Sequence, residues 1–229
     1  LELRNRILYE DNHLVVVNKM PAEIVQGDKT GDTPLSEWVK DYIAEKYQKP
    51  GNVFLGVVHR IDRPTSGAVV FARTTKSLTR LNAMFASRNL QKTYWAVAKW
   101  NLIDTQGTLR HFLKKNEAQN KSFVVAENVV GAKNAEMVYK VLAASDHYSL
   151  IEVELLTGRH HQIRAQLATL GCPIKGDLKY GAERSNPDGS IHLHARSLKF
   201  QHPVSKEFIT VIAPVPDEPL WRFFETKMV

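Results

Sequence analysis

The 229 residues predict an α+β fold with a large mixed or antiparallel sheet and helices set unevenly along it. Two patterns carry that prediction. Residues 92–100 alternate as a strand does, Trp95 and Val97 to one side and Tyr94, Ala96 and Ala98 to the other, and over 150–156 Ile151, Val153 and Leu155 alternate with Glu152 and Glu154. Elsewhere apolar residues recur at helical spacing, as at Leu35, Trp38, Val39, Tyr42 and Ile43. No internal repeat, low-complexity tract or clear linker interrupts the chain, so one domain over residues 1–229 is expected.

In order, residues 7–9 and 13–18 read as two short strands, with turn chemistry at Glu10-Asp11-Asn12 between them. The unbroken run Leu14-Val15-Val16-Val17 predicts a strand buried on both faces. Residues 18–32 mix Pro, Gly and Asp and read as loop. Thr33-Pro34 then reads as an N-cap with proline at the first helical position, and residues 48–52 end the helix it opens. A short strand over 53–58 leads into His59-Arg60-Ile61-Asp62-Arg63-Pro64-Thr65-Ser66-Gly67, and residues 67–72 follow as a buried strand. Thr74 or Thr75 caps a helix to about Ser87, with Leu78, Leu81 and Phe85 inward.

After the strand at 92–100 a loop over 102–107 is expected, then short antiparallel strands over 108–113, 122–125 and 134–142. Lys114, Lys115 and Lys121 fall on the connection between two of these. Thr157-Gly158 breaks the strand at 150–156. A helix over 159–170 follows, stopped by Gly171 and Pro173. Residues 178–186 read as loop and 191–200 and 207–213 as closing strands joined by a hairpin turn. A last helix over 219–227 packs back through Leu220, Phe223 and Phe224.

The net charge of +7 and a pI near 9.4 favour a polyanionic partner. No stretch approaches the roughly 20 apolar residues that span a bilayer. The start, Leu1-Glu2-Leu3-Arg4, has no apolar signal-peptide region and no initiator Met, so an upstream module could have been removed. Cys172 is the single cysteine and reads as a small packing residue. With no intrachain disulfide possible, a reducing, cytoplasmic setting is expected.

Four groups stand out chemically. Asp62 lies between Arg60 and Arg63, whose charges should hold its carboxyl ionised, and Pro64 and Gly67 shape the loop around it. The others are Tyr94 in the alternating strand, the block Thr157-Gly158-Arg159-His160-His161-Gln162-Ile163-Arg164, and the block Gly176-Asp177-Leu178-Lys179-Tyr180-Gly181. Among the nine histidines, His160 and His161 should point to different sides of a helix, and His192 and His194 could share one face of a strand. No paired cysteines or H-E-x-x-H pattern accompanies them, and no metal is expected. Ser66 lacks the G-x-S-x-G turn of a hydrolase nucleophile. Phosphate-binding glycine motifs are absent too, so no cofactor is expected. A carboxylate, a tyrosine and several arginines in a basic chain fit chemistry on a nucleic-acid base. Arginine handles phosphate and can fill the gap left by an extruded base, and tyrosine offers a stacking face.

Three of these blocks carry a resemblance. His59–Gly67 resembles the H-R-L-D-x-x-T-S-G motif of the RluA family of RNA pseudouridine synthases, with Ile61 for leucine. Lys92-x-Tyr94-x-Ala96 and the block from Thr157 to Arg164 resemble the family's next two motifs in the same order. Gly176-Asp177-x-x-Tyr180-Gly181, Leu193-His194-Ala195 and the opening residues are similar as well. The chain departs from the family's Lys-Pro-x-Gly, having Lys19-Met20-Pro21-Ala22 instead, which leaves the backbone of that loop open.

The resemblance implies the pseudouridine synthase fold, a mixed, largely antiparallel sheet with flanking helices and a central active-site cleft. It implies conversion of uridine to pseudouridine in ribosomal or transfer RNA: the bond from sugar to uracil N1 breaks, the base turns, and it reattaches through C5. Neither cofactor nor metal takes part. By motif position Asp62 is the catalytic carboxylate, Tyr94 stacks on the target base, and Arg164 pairs with the catalytic aspartate. Arg60, Arg63, His59, Arg159, His161 and Lys19 are the implied RNA-binding residues. A cytoplasmic monomer acting on RNA, with no membrane partner, is expected. The alternative of another class is a catalytically silent RNA-binding or ribosome-assembly protein on the same scaffold. The joint presence of Asp62, Tyr94 and Arg164 counts against it.

Overall fold

The computed structural model describes residues 2–99 and 104–228. Trp100 and Leu102, expected to end one strand and open a loop, fall outside the described residues. In chain order the elements are β1 (Ile7–Glu10), β2 (Leu14–Lys19), α1 (Leu35–Lys46), β3 (Gly56–Val57), β4 (Ser66–Ala72), α2 (Thr75–Ser87), β5 (Leu90–Ala98), β6 (Gln106–Asn116), β7 (Lys121–Val125), β8 (Lys133–Ala144), β9 (Ser149–Leu155), α3 (Gln162–Thr169), β10 (Leu193–Gln201), β11 (Phe208–Ile212) and α4 (Pro219–Thr226). The chain divides into two compact units, Leu1–Gln91 with Ala195–Val215, and Lys92–His194 with Pro216–Val229.

In the first unit the strand order is β1-β2-β4-β10, with β11 antiparallel on β10. β2 pairs antiparallel with both β1 and β4, and Lys19 lies opposite Gly67. Leu14 to Val17 are wholly buried, and every residue of β4 is buried. Both strands are covered on two faces, which is why they read as continuous apolar runs. The core joins Val16, Val70 and Leu81 to Leu198, Phe200 and Val211, contributed by the returning segment. The strand expected over 53–58 shortens to Gly56–Val57. It meets only Ala72 and Phe71 of β4, because the Val70 N–H donates to the His59 ring at 3.1 Å in place of a strand carbonyl.

Helix α1 corrects one cap. Pro34, not Thr33, is the N-cap, and no side chain caps the helix. The carbonyls of Ile24 and Val25 accept from the N–H groups of Leu35 and Ser36, so backbone replaces the side chain the sequence suggested. Thr74 caps α2 as expected, accepting from the Ser77 N–H.

The second unit orders its strands β5-β9-β8-β6-β7, all antiparallel. Lys114 and Lys115 lie within β6 and Lys121 opens β7, which corrects their placement on a connection. The pairing continues to Lys115↔Ser122 and Asn116↔Lys121 before the chain turns. Helix α3 starts at Gln162, not at residue 159, because His161 adopts a left-handed conformation with φ of 54°. Leu113, Ala135, Ala165 and Tyr180 form a small core beneath this helix. Cys172 is fully buried, the packing residue expected. In α4 the buried positions are Trp221 and Phe224, whereas Phe223 is exposed. Glu218 sets that helix's start by accepting from the N–H groups of Leu220 and Trp221.

Candidate active site

Asp62 sits half-buried in a loop of the first unit, and main-chain atoms fix the loop's shape. The Thr65 N–H donates to the Asp62 carbonyl at 3.0 Å, closing a turn. The next carbonyl, that of Arg63, accepts twice: from the Ala22 N–H at 2.9 Å and from the Lys19 ammonium at 3.1 Å. Lys19 also donates to the Met20 carbonyl at 2.8 Å. Glu23 accepts from the Met20 N–H and is itself gripped by the buried Arg6. One loop thus clamps the other through backbone carbonyls. The departure at Lys19-Met20-Pro21-Ala22 proves conformationally specific. Ala22 takes φ of 68°, the left-handed conformation that glycine adopts at less cost, and its N–H is what reaches Arg63.

Burial changes the part played by Lys19. It has no exposed surface, and its ammonium holds the loop from within. Burial pushes its ammonium down to about 7, opposed by the charges of Glu23 and Asp62 and assisted by those of Arg6 and Arg63. Between about pH 7 and the ordinary lysine value near 10.5, the unfolded chain holds a proton here that the folded chain has released. Stability contributed at this site therefore rises with pH across that window and is lowest below 7, with a slope of at most about 1.4 kcal/mol per pH unit. Urea unfolding from pH 6 to 10 checks this. The stability of wild type relative to Lys19→Met should climb through the window, and a flat difference would refute the assignment.

Other sequence-expected residues fall around this loop. His59 is half-buried, its ring stacked on Phe85 at 4.7 Å between centroids. Arg60 and Arg63 are exposed, and Arg63 reaches Asp32 at 2.7 Å. That pair is open to water and contributes little to stability.

In the second unit Tyr94 is buried on β5, opposite Val153 of β9. The block that opens α3 is locked by its own polar residues. Thr157 donates to the Gln162 side-chain oxygen at 2.7 Å and accepts from the Glu136 N–H at 2.8 Å. Gln162 accepts from the Arg159 N–H and donates to the Glu136 carbonyl, both at 3.0 Å. Arg159 is half-buried and donates through Nε to the Asn134 carbonyl at 2.8 Å.

His160 and His161 do not point apart. Their rings stack at 3.8 Å between centroids, because the left-handed His161 turns its side chain back before the helix begins. His161 is buried, with Nδ1 3.0 Å from the Tyr180 hydroxyl. Burial, then the charge of Arg164, then His160 hold it far below the ordinary imidazole range, so it is neutral.

Arg164 is buried in the first turn of α3. Its Nε and one Nη donate to the two carboxylate oxygens of Asp177 at 2.7 and 2.8 Å. Asp177 and Tyr180 belong to a block that the sequence singles out without a role. Their place beside Arg164 depends on a contact across 13 residues that no local pattern encodes.

His192 and His194 serve the C-terminal helix. Their rings lie 5.3 and 6.0 Å from that of Trp221, and His192 Nε2 is 3.0 Å from Glu218. Among the described residues no group of three or more His, Cys, Asp or Glu could hold a metal ion, and no helix is long and apolar enough to cross a membrane.

Known proteins match this arrangement. Residues 13–169 match the family model described as RNA pseudouridylate synthase. The chain is 34% identical over 213 residues to the uncharacterized RNA pseudouridine synthase YhcT of Bacillus subtilis, covering 92% of this chain and 68% of that protein. It is 32% identical over 220 residues to the ribosomal large subunit pseudouridine synthase C of Vibrio parahaemolyticus, covering 93% and 67%. Among solved structures, the human RNA pseudouridylate synthase domain containing 4 superposes with a TM-score of 0.80 at 22% identity, over 99% of this chain and 94% of that one, a likeness of fold. The human RNA pseudouridylate synthase domain containing 1 gives 0.71 at 26% identity, over 94% and 85%.

Proposed function

This chain belongs to the RluA family of RNA pseudouridine synthases, which are isomerases, and from that membership we propose that it converts a specific uridine of ribosomal or transfer RNA to pseudouridine with Asp62 as the catalytic carboxylate. The observation that carries the reading is the Asp62 loop. Its shape is set by main-chain hydrogen bonds and by the buried Lys19, so the carboxylate stands on a rigid support of the kind a reacting group needs.

Uridine and pseudouridine are isomers, so no atom or electron is gained overall and the chemistry calls for no cofactor. Side chains need only break the bond to N1, hold the detached base while it turns, and move protons. The Asp62 side chain supplies a nucleophile or a general base. Tyr94 supplies a ring face for the base, and Arg164 stands at the motif position of the arginine that serves the catalytic aspartate. Arg60 and Arg63, both exposed, and the half-buried Arg159 and His59 are the groups we assign to RNA contact. The cytoplasm is the proposed site of action, by likeness to a relative named for the ribosomal large subunit.

Mapping pseudouridine in total RNA from cells with and without the gene tests the proposal. One uridine should lose its modification and regain it with wild type. If every site is unchanged in ribosomal and transfer RNA, the substrate assignment is wrong.

A further inference from the structure

We propose that Asp177 is the positioning residue that fixes the orientation of the catalytic arginine, Arg164. The proposal rests on the reading above, in which Arg164 serves the reaction.

The guanidinium is held on one edge and one face. Its Nε and one Nη make two bonds of 2.7 and 2.8 Å to separate oxygens of Asp177, the fork-on-fork geometry that fixes a plane as well as a distance. The side chains are only 5% and 1% exposed, so water does not compete for these bonds. The Tyr180 ring lies 5.0 Å from the guanidinium carbon, a cation–π contact. Tyr180 is fixed in turn: its hydroxyl accepts from the Ser122 N–H at 2.8 Å, donates to the Ser122 carbonyl at 3.1 Å, and lies 3.0 Å from His161 Nδ1. Rotating the guanidinium breaks both bonds to Asp177 and lifts it off the ring.

Asp177 has equally little freedom. Its N–H donates to the Ile174 carbonyl, and its own carbonyl accepts from the N–H groups of Tyr180 and Ala182, each at 3.0 Å. Gly176 before it takes φ of 89°, and a Cβ there would lie 2.7 to 2.9 Å from Ser190 and Asn186. The glycine permits the close approach that delivers the aspartate to Arg164. Gly176, Asp177 and Tyr180 are thereby explained together as one support for a single arginine.

Stability is a weak reason for such a pair. A buried ion pair is often no more stabilising than apolar residues of the same volume. What the pair provides that apolar packing cannot is direction. In a well-oriented site a displacement of about 1 Å can cost on the order of 100-fold in rate.

The test uses the full chain and the RNA transcript on which wild type turns over, with rate and KM measured beside thermal stability. Asp177→Asn should lower the rate roughly 10- to 100-fold with KM for RNA within about twofold. Asp177→Glu keeps the charge but advances the carboxylate. It keeps the buried charge paired, so it should still fold, at some cost from the added methylene, and lose rate, which keeps the proposal testable if the asparagine variant does not fold. The double variant Asp177→Asn/Arg164→Lys should be no slower than Arg164→Lys alone, since both act on one group. Rates for the aspartate variants within threefold of wild type, or losses that multiply in the double variant, overturn the positioning role. A wild-type rate for Arg164→Lys itself would instead overturn the catalytic reading of Arg164, and this proposal with it.

Discussion

Asp62→Ala should abolish pseudouridine formation, with a loss on the order of 1,000-fold or more, while RNA affinity stays within a few-fold of wild type. The loop's construction makes this a clean experiment. Its shape depends on the carbonyls of Asp62 and Arg63 and on the N–H groups of Ala22 and Thr65. Alanine keeps all of these backbone groups, so the substitution removes the carboxylate and leaves its support. Asp62→Asn should behave alike, because an amide is neither nucleophile nor base at neutral pH. Pseudouridine content after incubation with the RNA, beside a binding isotherm and a melting curve, is the measurement. A variant that retains more than a tenth of the wild-type rate would show that another group carries the reaction.

Gly67→Ala should strongly destabilise the fold. Gly67 ends the His59–Gly67 block with φ of 118°, and a Cβ there would fall within 2.7 Å of the Ala195 backbone. Those atoms belong to a strand and have nowhere to go. Left-handed strain of about 1–2 kcal/mol adds to overpacking of about 1–3 kcal/mol. The sum is a large part of the 5–15 kcal/mol by which a domain of ordinary stability is held. Gly31→Ala is the control. It has a similar positive φ of 79° but nothing within 4 Å, so only the backbone cost of about 1 kcal/mol should remain. Comparable unfolding midpoints for the two variants would mean that the contact with Ala195 is not the cause.

Much of this was legible from the residues, and the reasons are local. Continuous apolar runs at Leu14–Val17 and in β4 announce strands covered on both faces, and alternation announces β9. The three motifs in order gave the family, since each is a short run of chemically unusual neighbours. The failures share one cause, the replacement of a local signal by a distant partner. Thr33 reads as a cap, but the carbonyls of Ile24 and Val25 already satisfy the helix. Residues 159–161 read as helix, but Thr157 and Gln162 bind Glu136 on another strand instead. Nor does residue type show that Lys19 and His161 are buried. Charge and residue type are written in sequence, whereas burial is decided by which strands close over a residue.

The returning segment Ala195–Val215 has a consequence for the life of the chain before it ever meets RNA. Leu198, Phe200, Val211 and Ala213 complete the core of a unit whose other residues all precede position 92. Synthesis at about 5–20 residues per second leaves that half-built core waiting for about 5–20 s while the intervening residues are made. During that interval β4, apolar on both faces, lacks its neighbour β10. Such a strand invites pairing with the wrong chain. The nascent protein therefore has a defined period of vulnerability on the ribosome, and it ends only once Ala195–Val215 has been made.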